Sequence, residues 1–231
     1  MNLFYSYALE VEKAYIIRIK GNDTSENAAK NCADSCDKAG MPCEYWDAYN
    51  GLAEEIQKPD HHNSIMDCVK VTDHFLTRGE VACALSHISL WARCVLLDKP
   101  IVIFEHDAVC LQPYVQHNMY NSICFLGSQE SFRPEDQSTG KLIPWHASNG
   151  PNVHFICRAH AYAIDPAVAK NMLAEVIRRG IYAPADIMIQ ADLFNIHQVG
   201  LFAIDKPNGE TTIANRAEGK RSYVRNDDLK L

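Results

Sequence analysis

Residues 76–109 read LTRGEVACALSHISLWARCVLLDKPIVIFEHDAV, and this stretch decides the fold that the sequence predicts. Apolar side chains recur at helical spacing in its first part, which predicts an amphipathic helix with one face packed on a sheet. Thr77 and Glu80 fit a capping box at the start of that helix. After a break at residues 98–100, the continuous apolar run at residues 101–104 is typical of a strand buried on both faces. The stretch therefore predicts a helix that leads into a buried strand.

On the N-terminal side of this stretch, short apolar runs alternate with a polar helical segment. Residues 14–20 (AYIIRIK) predict a strand, residues 24–39 predict a helix that Gly40 ends as a C-cap, and residues 41–51 predict a second strand and a turn. Strand, helix and strand joined by short connections are how a parallel sheet begins. We therefore expect an α/β fold with a mostly parallel central sheet flanked by helices.

The C-terminal half continues this pattern of strands and helices. Asp165 and Pro166 are a strong helix start, because Asp favours the N-cap and Pro favours the first helical position. We expect one domain that spans residues 1–231. The remaining predicted elements are a buried strand at 122–127, a polar surface loop at 128–140, a strand pair or one bent strand within 154–164, a helix after Pro184, a last strand at 199–204 and a polar tail at 208–231.

The composition limits the class of protein. Apolar residues make up 47% of the 231 residues, which is enough for a substantial core. No run approaches the roughly 18 apolar residues of a membrane span, and the start MNLFYSYALEVEK lacks the basic and apolar regions of a signal peptide. The formal net charge is −7, and acidic neighbours dilute the basic cluster KRSYVR, which disfavours nucleic acid as a partner. We therefore expect a soluble cytoplasmic protein without a transmembrane segment.

The nine cysteines are an odd number, lie scattered through apolar runs and follow no regular disulfide spacing. This scatter favours reduced and mostly buried thiols. Cys32, Cys36 and Cys43 leave a zinc site open as an alternative, but no second closely spaced pair accompanies them.

Acidic residues follow the predicted strand at residues 101–104. Glu105 and Asp107, with His106 between them, would lie at the carboxyl edge of the sheet, where open α/β folds bind their ligands. Carboxylate oxygens suit Mg²⁺ or Mn²⁺, and such an ion can neutralise charge on a departing nucleoside diphosphate. On the pattern alone, solvated acids of a turn are still the more frequent outcome for such residues.

Four segments of the chain, in order, resemble one family of enzymes. Residues 76–109 are similar to the signature of glycosyltransferase family 25, which contains lipooligosaccharide galactosyltransferases and collagen hydroxylysine galactosyltransferases. In that signature a GE-x-x-C-x-LSH helix leads to a strand that ends in E-D-D. The other similar segments are AYIIRIK at 14–20 with the helix after it, HAYAI at 160–164 and APADIMI at 183–189. A colinear match over most of residues 14–204 is more specific than a single motif.

The resemblance implies a GT-A-like fold in which an acidic DxD-type motif holds a metal ion on the donor diphosphate. It implies that Asp107 is a direct metal ligand and that Glu105 is a second ligand or a contact of the donor sugar or ribose. His106 departs from the family pattern, which has an acid there, and on an extended chain its side chain would point away. The implied cofactor is Mn²⁺ or Mg²⁺, and the implied donor is a UDP-sugar.

Three residues of the predicted helix and one of the first strand are candidates for the donor site. Glu80, Ser86 and His87 belong to the GE and SH pairs of the family signature, and Glu80 and His87 share one helix face. Hydrogen bonds in the capping box or to a neighbouring loop would explain the same residues without a role in binding. Arg18 lies at the edge of the first strand, where GT-A proteins receive the nucleoside, although a solvated strand face explains it about as well.

Asp186 is the candidate catalytic base. An inverting transfer needs a group that takes the proton of the acceptor hydroxyl, and the similarity of APADIMI to the family's P-V-D segment implies that Asp186 is this group. The helix dipole alone also favours a carboxylate in a first helical turn, and Asp192 is the reserve candidate. His160 and Tyr162, on the HAYAI strand, are candidates for the acceptor cleft, although such a Tyr is more often part of a core.

Taken together, these observations predict a metal-dependent glycosyltransferase. It would move a hexose, galactose or glucose, from a nucleotide-diphosphate sugar to a hydroxyl group of a glycan or lipooligosaccharide. One alternative is transfer to hydroxymethylated bases of DNA, which the acidic charge disfavours. A second alternative is a degenerate member of the family that only binds a glycan or a partner protein, and His106 is the hint that favours it.

Overall fold

The computed structural model describes residues 9–73, 75–127, 142–146, 150–156 and 159–205. The predicted loop at 128–140 and the predicted tail at 208–231 lie outside these residues. The strands are β1 (Leu9–Glu10), β2 (Ala14–Arg18), β3 (Cys43–Asp47), β4 (Ile101–Glu105), β5 (Ala108–Cys110), β6 (Gln116–His117), β7 (Ser122–Gly127), β8 (Leu142–Pro144), β9 (Ala161–Ile164) and β10 (Asn195–Asp205). The helices are α1 (Asp23–Ala39), α2 (Arg78–Leu97), α3 (Pro166–Arg179) and α4 (Ala185–Met188), and a short 3₁₀ helix spans Met66–Cys68.

The central sheet has the strand order β3-β2-β4-β9-β7-β10-β5, and β8 pairs with β10 outside this path. Strand β2 runs parallel to both β3 and β4, and β7 runs parallel to β10. Strand β9 lies antiparallel between β4 and β7, while β5 and β8 are antiparallel to β10. The sheet is therefore mixed, and the expectation of a mostly parallel sheet was wrong. An apolar run shows that a strand is buried on both faces but carries no information about its direction.

The sheet separates two layers of core, because successive side chains on a strand point to opposite faces. Ile103 of β4 belongs to the core on the side of α2 and α3, together with Leu85 and Ile88 of α2. Phe104, the next residue of β4, belongs to the core on the side of α1, together with Cys32 and Cys36. The helices thus cover both faces of the sheet, as the apolar runs of its strands require.

The structure contains the helix caps that the sequence predicts at Thr77, Gly40 and Asp165. Thr77 and Glu80 form the predicted capping box, in which each side chain bonds the backbone N–H of the other residue. Gly40 ends α1 in the left-handed conformation (φ 74°), which glycine adopts without a Cβ clash. Asp165 accepts hydrogen bonds from the backbone of the first turn of α3, and Pro166 is the first residue of that helix.

Some of the predicted strands differ from the structure in their extent, and two of these differences concern the C-terminal half of the chain. The last strand begins at Asn195 and not at residue 199. Among the described residues of 154–164, the strand spans Ala161–Ile164, and Phe155 forms an isolated bridge with Gln190. That bridge brings the segment before β9 next to the segment that follows α4.

Helix α2 is the one helix among the described residues that is long and apolar enough to cross a membrane. Of its most apolar window, 72% is buried inside the protein. A helix that is apolar on most sides is also what the interior of a folded domain requires, and α2 packs against β4, α3 and α4.

The eight cysteines within the described residues carry free thiols, and Cys157 lies outside those residues. Cys32 and Cys36 of α1 are fully buried against the sheet. Within the same part of the chain, the side-chain groups with metal-ligand spacing do not combine Cys32, Cys36 and Cys43. The structure therefore favours packing thiols over the zinc alternative for these three residues.

Candidate functional site

A cleft lies at the carboxyl ends of β2, β3 and β4, where these parallel strands meet the first half of α2. The cleft is open to solvent, and its empty space of about 640 Å³ includes the solvent at its mouth. The carboxyl edge of an open α/β sheet is where such folds bind their ligands. The lining residues come from the end of β2 (Ile17, Ile19), the loop after β3 (Ala48, Tyr49, Gly51, Leu52), α2 (Gly79, Ala82, Cys83, Ser86, His87) and the turn after β4 (Glu105, His106, Asp107).

His87 and Glu105 form a pair on the floor of the cleft. The Nε2 atom of His87 lies 3.2 Å from Oε1 of Glu105, and Nδ1 lies 2.8 Å from the hydroxyl oxygen of Tyr162. The indole N–H of Trp91 donates a hydrogen bond of 3.0 Å to the same Tyr162 oxygen. His87 and Tyr162 are fully buried, whereas the side chain of Glu105 is 29% exposed. The buried chain of contacts therefore ends in a carboxylate that reaches the cleft.

The surroundings of Glu105 favour its charged form. Burial alone would raise the pKa of this carboxyl. The hydrogen bond and the charge of His87 oppose that effect, as do the charges of His160 and His106. The pKa of Glu105 is therefore lowered from its ordinary value. A carboxylate with a lowered pKa stays ionised at neutral pH. Glu105 therefore carries a negative charge into the cleft.

His106 and Asp107 line the cleft together with Glu105. The two residues form a turn between β4 and β5, so the alternation of an extended chain does not hold there. The expectation that His106 would point away from its neighbours was wrong for this reason. All three residues that occupy the acidic-motif positions therefore face the same cavity.

Cys83 lies among the carboxylates that the sequence singled out. The pKa of its thiol is raised well above the ordinary value, first by burial and then by the negative charges of Glu105, Asp186, Asp107 and Glu80. These four carboxylates are therefore all close enough to Cys83 to affect the charge state of its thiol. The fold thus collects acids from the start of α2, the end of β4 and the helix α4.

Glu80 and Ser86 are held by hydrogen bonds of the kind that the sequence left open as alternatives. Glu80 is buried and accepts from the backbone N–H of Thr77 at 2.9 Å. The hydroxyl of Ser86 accepts from the backbone N–H of Tyr49 at 3.0 Å and donates to the carbonyl of Ala82 at 2.7 Å. Ser86 thereby ties the loop after β3 to α2, and it lines the cleft, whereas Glu80 lies just behind its wall.

The loop after β3 contributes wall residues that were not identified from the sequence. Gly51 approaches α2 so closely that a Cβ atom there would lie 2.5 Å from the carbonyl oxygen of Arg78 and 3.0 Å from the Cβ atom of Ala82. Only glycine fits such an approach. The signal that could have found this wall is the turn in residues 41–51, which follows a strand parallel to β2 and β4.

Arg18 lies outside the cleft. Its Nε atom forms an ion pair of 3.1 Å with Asp47, and its guanidinium lies 4.3 Å from the ring centroid of Tyr45 on the neighbouring strand. Its neighbours Ile17 and Ile19 line the cleft, and alternation along β2 sends the Arg18 side chain to the other face. The structure thus places Arg18 in a surface pair beside the candidate donor site.

The two candidate bases lie in different surroundings. Asp186 is in the first turn of α4, which packs against α2, and its Oδ1 accepts from the backbone N–H of Ile187 at 3.0 Å. The N-cap of α4 is Pro184, so Asp186 does not cap the helix. Asp192 lies beyond α4, with its Oδ2 2.8 Å from Nδ1 of His154. Asp186 is among the charges that raise the pKa of the Cys83 thiol.

His160 and Tyr162 lie behind Glu105, beneath the floor of the cleft. Both are buried, and the backbone N–H of Glu105 donates to the carbonyl of His160 at 3.0 Å. The ring of His160 packs against Gly127, where no side chain would fit, and lies 5.6 Å from the ring of Phe125. In this arrangement the two candidate acceptor residues support the acidic motif from the core.

The carboxylates of the cleft fit a hard divalent cation. The ligand atoms of Cys83, His87 and Glu105 all lie within 4.8 Å of one another, a spacing that metal ligands can have. Both ring nitrogens of His87 already contact Tyr162 and Glu105, however, and a protonated thiol such as Cys83 is a poor ligand. The oxygens of Glu105 and Asp107 are the ligands that Mg²⁺ and Mn²⁺ prefer.

An α/β sheet with a cleft and carboxylates at its carboxyl edge is typical of proteins that bind their ligands outside the strand ends. The sequence profile of glycosyltransferase family 25 (LPS biosynthesis protein) matches residues 12–189, which is most of the chain. The chain therefore belongs to glycosyltransferase family 25, which confirms the resemblance seen in the sequence and supports a glycosyltransferase enzyme that uses a sugar donor and an acceptor. No curated protein matches the sequence.

Proposed function

We propose that this chain is a metal-dependent hexosyltransferase that moves galactose or glucose from a nucleotide-diphosphate sugar, a UDP-sugar, to a hydroxyl group of a glycan or lipooligosaccharide. One observation carries the proposal: Glu105 and Asp107 leave a buried strand and face the same cleft as His87 of α2. Membership in the family supports the reaction class, and the cleft supports the way in which the donor binds.

The walls of the cleft match the two ends of such a donor. Ile17 and Ile19 from β2, with Ala48 and Leu52 from the loop after β3, offer apolar surface for the flat faces of a nucleobase. The end of β4 and the turn after it offer carboxylates next to this apolar surface, because Glu105 pairs with Ile17 of β2. A donor would thus lie with its base over β2 and its diphosphate at Asp107, which is the arrangement of a GT-A-like fold.

The chain's own residues prepare the acidic end of the cleft before any ligand binds. His87 holds Glu105 in one position, and Tyr162 and Trp91 hold His87 in turn. Such preorganised groups stabilise charge without rearranging during the reaction. Asp107 and Glu105 would hold Mn²⁺ or Mg²⁺, and such an ion would supply positive charge that favours departure of the nucleoside diphosphate.

Asp186 is the group that we propose takes the proton of the acceptor hydroxyl. It lies within electrostatic range of Cys83, a lining residue of the cleft, and approaches from α4 and not from β4. The acid that activates the acceptor is therefore on a different element from the acids that hold the donor. This division matches a direct displacement, in which the acceptor attacks the sugar from the side opposite the diphosphate.

Donor binding and turnover can be tested on the purified protein. In a thermal-shift screen of nucleotide sugars with and without Mn²⁺, a ligand at about 100 times its Kd raises the free energy of unfolding by about 2.7 kcal/mol. We expect a UDP-hexose to give the largest shift, and Mn²⁺ to enlarge it. Release of UDP during prolonged incubation would then separate an enzyme from a binding protein. The proposal fails if no nucleotide sugar shifts the melting curve and no nucleotide is released.

A further inference from the structure

A second group of potential metal ligands lies outside the cleft. The side-chain ligand atoms of His146, His154 and Asp192 all lie within 4.8 Å of one another. The Nδ1 atom of His154 is 2.8 Å from Oδ2 of Asp192, and the Nε2 atom of His146 is 3.7 Å from Oδ1. One carboxylate therefore faces two imidazoles, one on each of its oxygens.

The backbone brings the three residues together from three segments. The bridge between Phe155 and Gln190 aligns the segment of His154 with that of Asp192, and the backbone N–H of Ala191 donates to the carbonyl of His154 at 2.6 Å. Trp145 is buried next to His146 and donates its indole N–H to the carbonyl of Val153 at 2.9 Å. Each of the three residues thus lies in or next to a hydrogen-bonded pair of segments. The packing of these segments brings the three side chains together.

A contact of Nδ1 determines the protonation of the other ring nitrogen of His146, Nε2, which faces Asp192. Its Nδ1 atom lies 3.4 Å from the carbonyl oxygen of Gly150, which can only accept a hydrogen bond. With the proton on Nδ1, the Nε2 atom that faces Asp192 presents a lone pair. Metal-binding histidines usually donate their second N–H to a carbonyl or carboxylate in this way.

We propose that His146, His154 and Asp192 form a binding site for a divalent transition-metal ion, with zinc as its preferred occupant. Two imidazole nitrogens and one carboxylate oxygen suit zinc better than Mg²⁺ or Ca²⁺, which favour sites made of oxygen ligands. Three protein ligands leave a fourth position for water, as in open zinc sites.

The distances permit the ion with small side-chain movements. A tetrahedral ion about 2.0–2.1 Å from each ligand holds its ligands about 3.4 Å apart, so the widest pair closes by at most about 1.4 Å. The side chains are 40%, 47% and 56% exposed for His146, His154 and Asp192, which leaves them room to rotate and the ion a path from solvent. The bound ion would fasten the segment after α4 to the segment before β9.

The site can be tested by calorimetric titration of the metal-stripped full chain with Zn²⁺ in excess Mg²⁺, which occupies the oxygen site of the cleft. We expect one zinc ion per chain. Mutation of a residue that only hydrogen-bonds to a metal ligand typically weakens metal binding by about 10–100-fold. Loss of a ligand itself, in Asp192→Asn or His146→Gln, should therefore weaken zinc binding at least about tenfold. Circular dichroism shows whether each variant is folded. If Asp192→Asn does not fold, the zinc affinity of His146→Gln tests the site.

Two controls assign the zinc to this site. Asp67→Asn removes a carboxylate that lies at the same 2.8 Å from a histidine, His62, and it should leave zinc affinity unchanged. Asp107→Asn alters the acidic motif of the cleft and should also leave it unchanged. The proposal is overturned if the wild type binds no zinc, if both cluster variants bind it as tightly as the wild type, or if Asp107→Asn abolishes binding.

Discussion

His87 and Glu105 are 18 residues apart in the chain, yet the imidazole Nε2 lies 3.2 Å from the carboxylate Oε1 at the floor of the cleft. One residue is in the middle of α2, and the other is the last residue of β4. The contact exists because the chain turns back after α2 and β4 enters the sheet beneath that helix. It joins the LSH part of the family signature to the acidic motif, so the two halves of that signature form one site.

Asp107→Asn should remove most donor turnover while leaving the fold intact. The amide keeps the shape of the side chain but loses the charge that a hard cation requires. We expect the Mn²⁺-dependent rate of nucleotide release to fall by at least about 100-fold, with a melting temperature close to that of the wild type. Asp34→Asn, which alters a surface pair with Lys30, is the matched control. Full activity of Asp107→Asn, or of the wild type in excess chelator, would contradict the metal assignment.

Asp186→Asn should lower kcat by about 10²–10⁴-fold, because an amide cannot take the proton of the acceptor hydroxyl. Donor affinity should change little, since the acids of the proposed donor site, Glu105 and Asp107, lie at the end of β4 and in the turn after it. The amide oxygen can still accept from the backbone N–H of Ile187, so stability should also be retained. Asp73→Asn, which keeps a similar bond to the backbone N–H of Phe75, serves as the control. Turnover within a few-fold of the wild type would move the search for the base to another residue.

Tyr162→Phe should destabilise the protein by about 1–3 kcal/mol, because it leaves the indole N–H of Trp91 and the Nδ1 atom of His87 buried without their partner. Urea unfolding measures this change, and Tyr45→Phe on the exposed edge of the sheet is the control. A support role for Tyr162 also predicts an unchanged KM for the acceptor. Unchanged stability together with a raised acceptor KM would instead place Tyr162 in the acceptor site.

The buried pair of His117 and Asp165 predicts a pH dependence of stability. Burial opposes the charge on His117, but its hydrogen bonds to Asp165 and Cys124 outweigh burial and raise its pKa to about 9. A histidine with a raised pKa stabilises the fold fully below about pH 6.5, and this contribution is lost as the pH rises through about 9. Each pKa unit corresponds to about 1.4 kcal/mol. The free energy of unfolding should therefore fall by a few kcal/mol over this interval.

Two titratable neighbours of His117, Tyr114 and His197, have pKa values outside this interval. Its Nδ1 atom lies 3.2 Å from the hydroxyl of Tyr114, whose pKa is raised by burial, and the pKa of the nearby His197 is lowered by burial and by the charge of His117. His197 therefore titrates below the interval in question. Urea unfolding of His117→Gln over the same pH range should give a nearly flat curve, and His62→Gln should keep the slope of the wild type. A slope that persists in His117→Gln would assign it to other groups.

Much of the fold could be predicted because its signals are local. The capping box of Thr77 and Glu80, the N-cap at Asp165 and the left-handed Gly40 each depend on residues within a few positions of one another. The acidic motif after β4 could be placed at the carboxyl edge of the sheet for the same reason. The loop after β3 could not be assigned to the cleft, because its contact with α2 depends on the close approach at Gly51.

The sequence by itself determined the helices and most of the longer strands, and it placed Glu105 and Asp107 at the end of a buried strand. Only the tertiary structure decided that β9 runs antiparallel between β4 and β7, and that Asp192 meets two histidines. The physical reason is the range of the interactions. Periodicity and capping act between neighbours along the chain, whereas strand direction and contacts between distant side chains depend on the packing of whole elements.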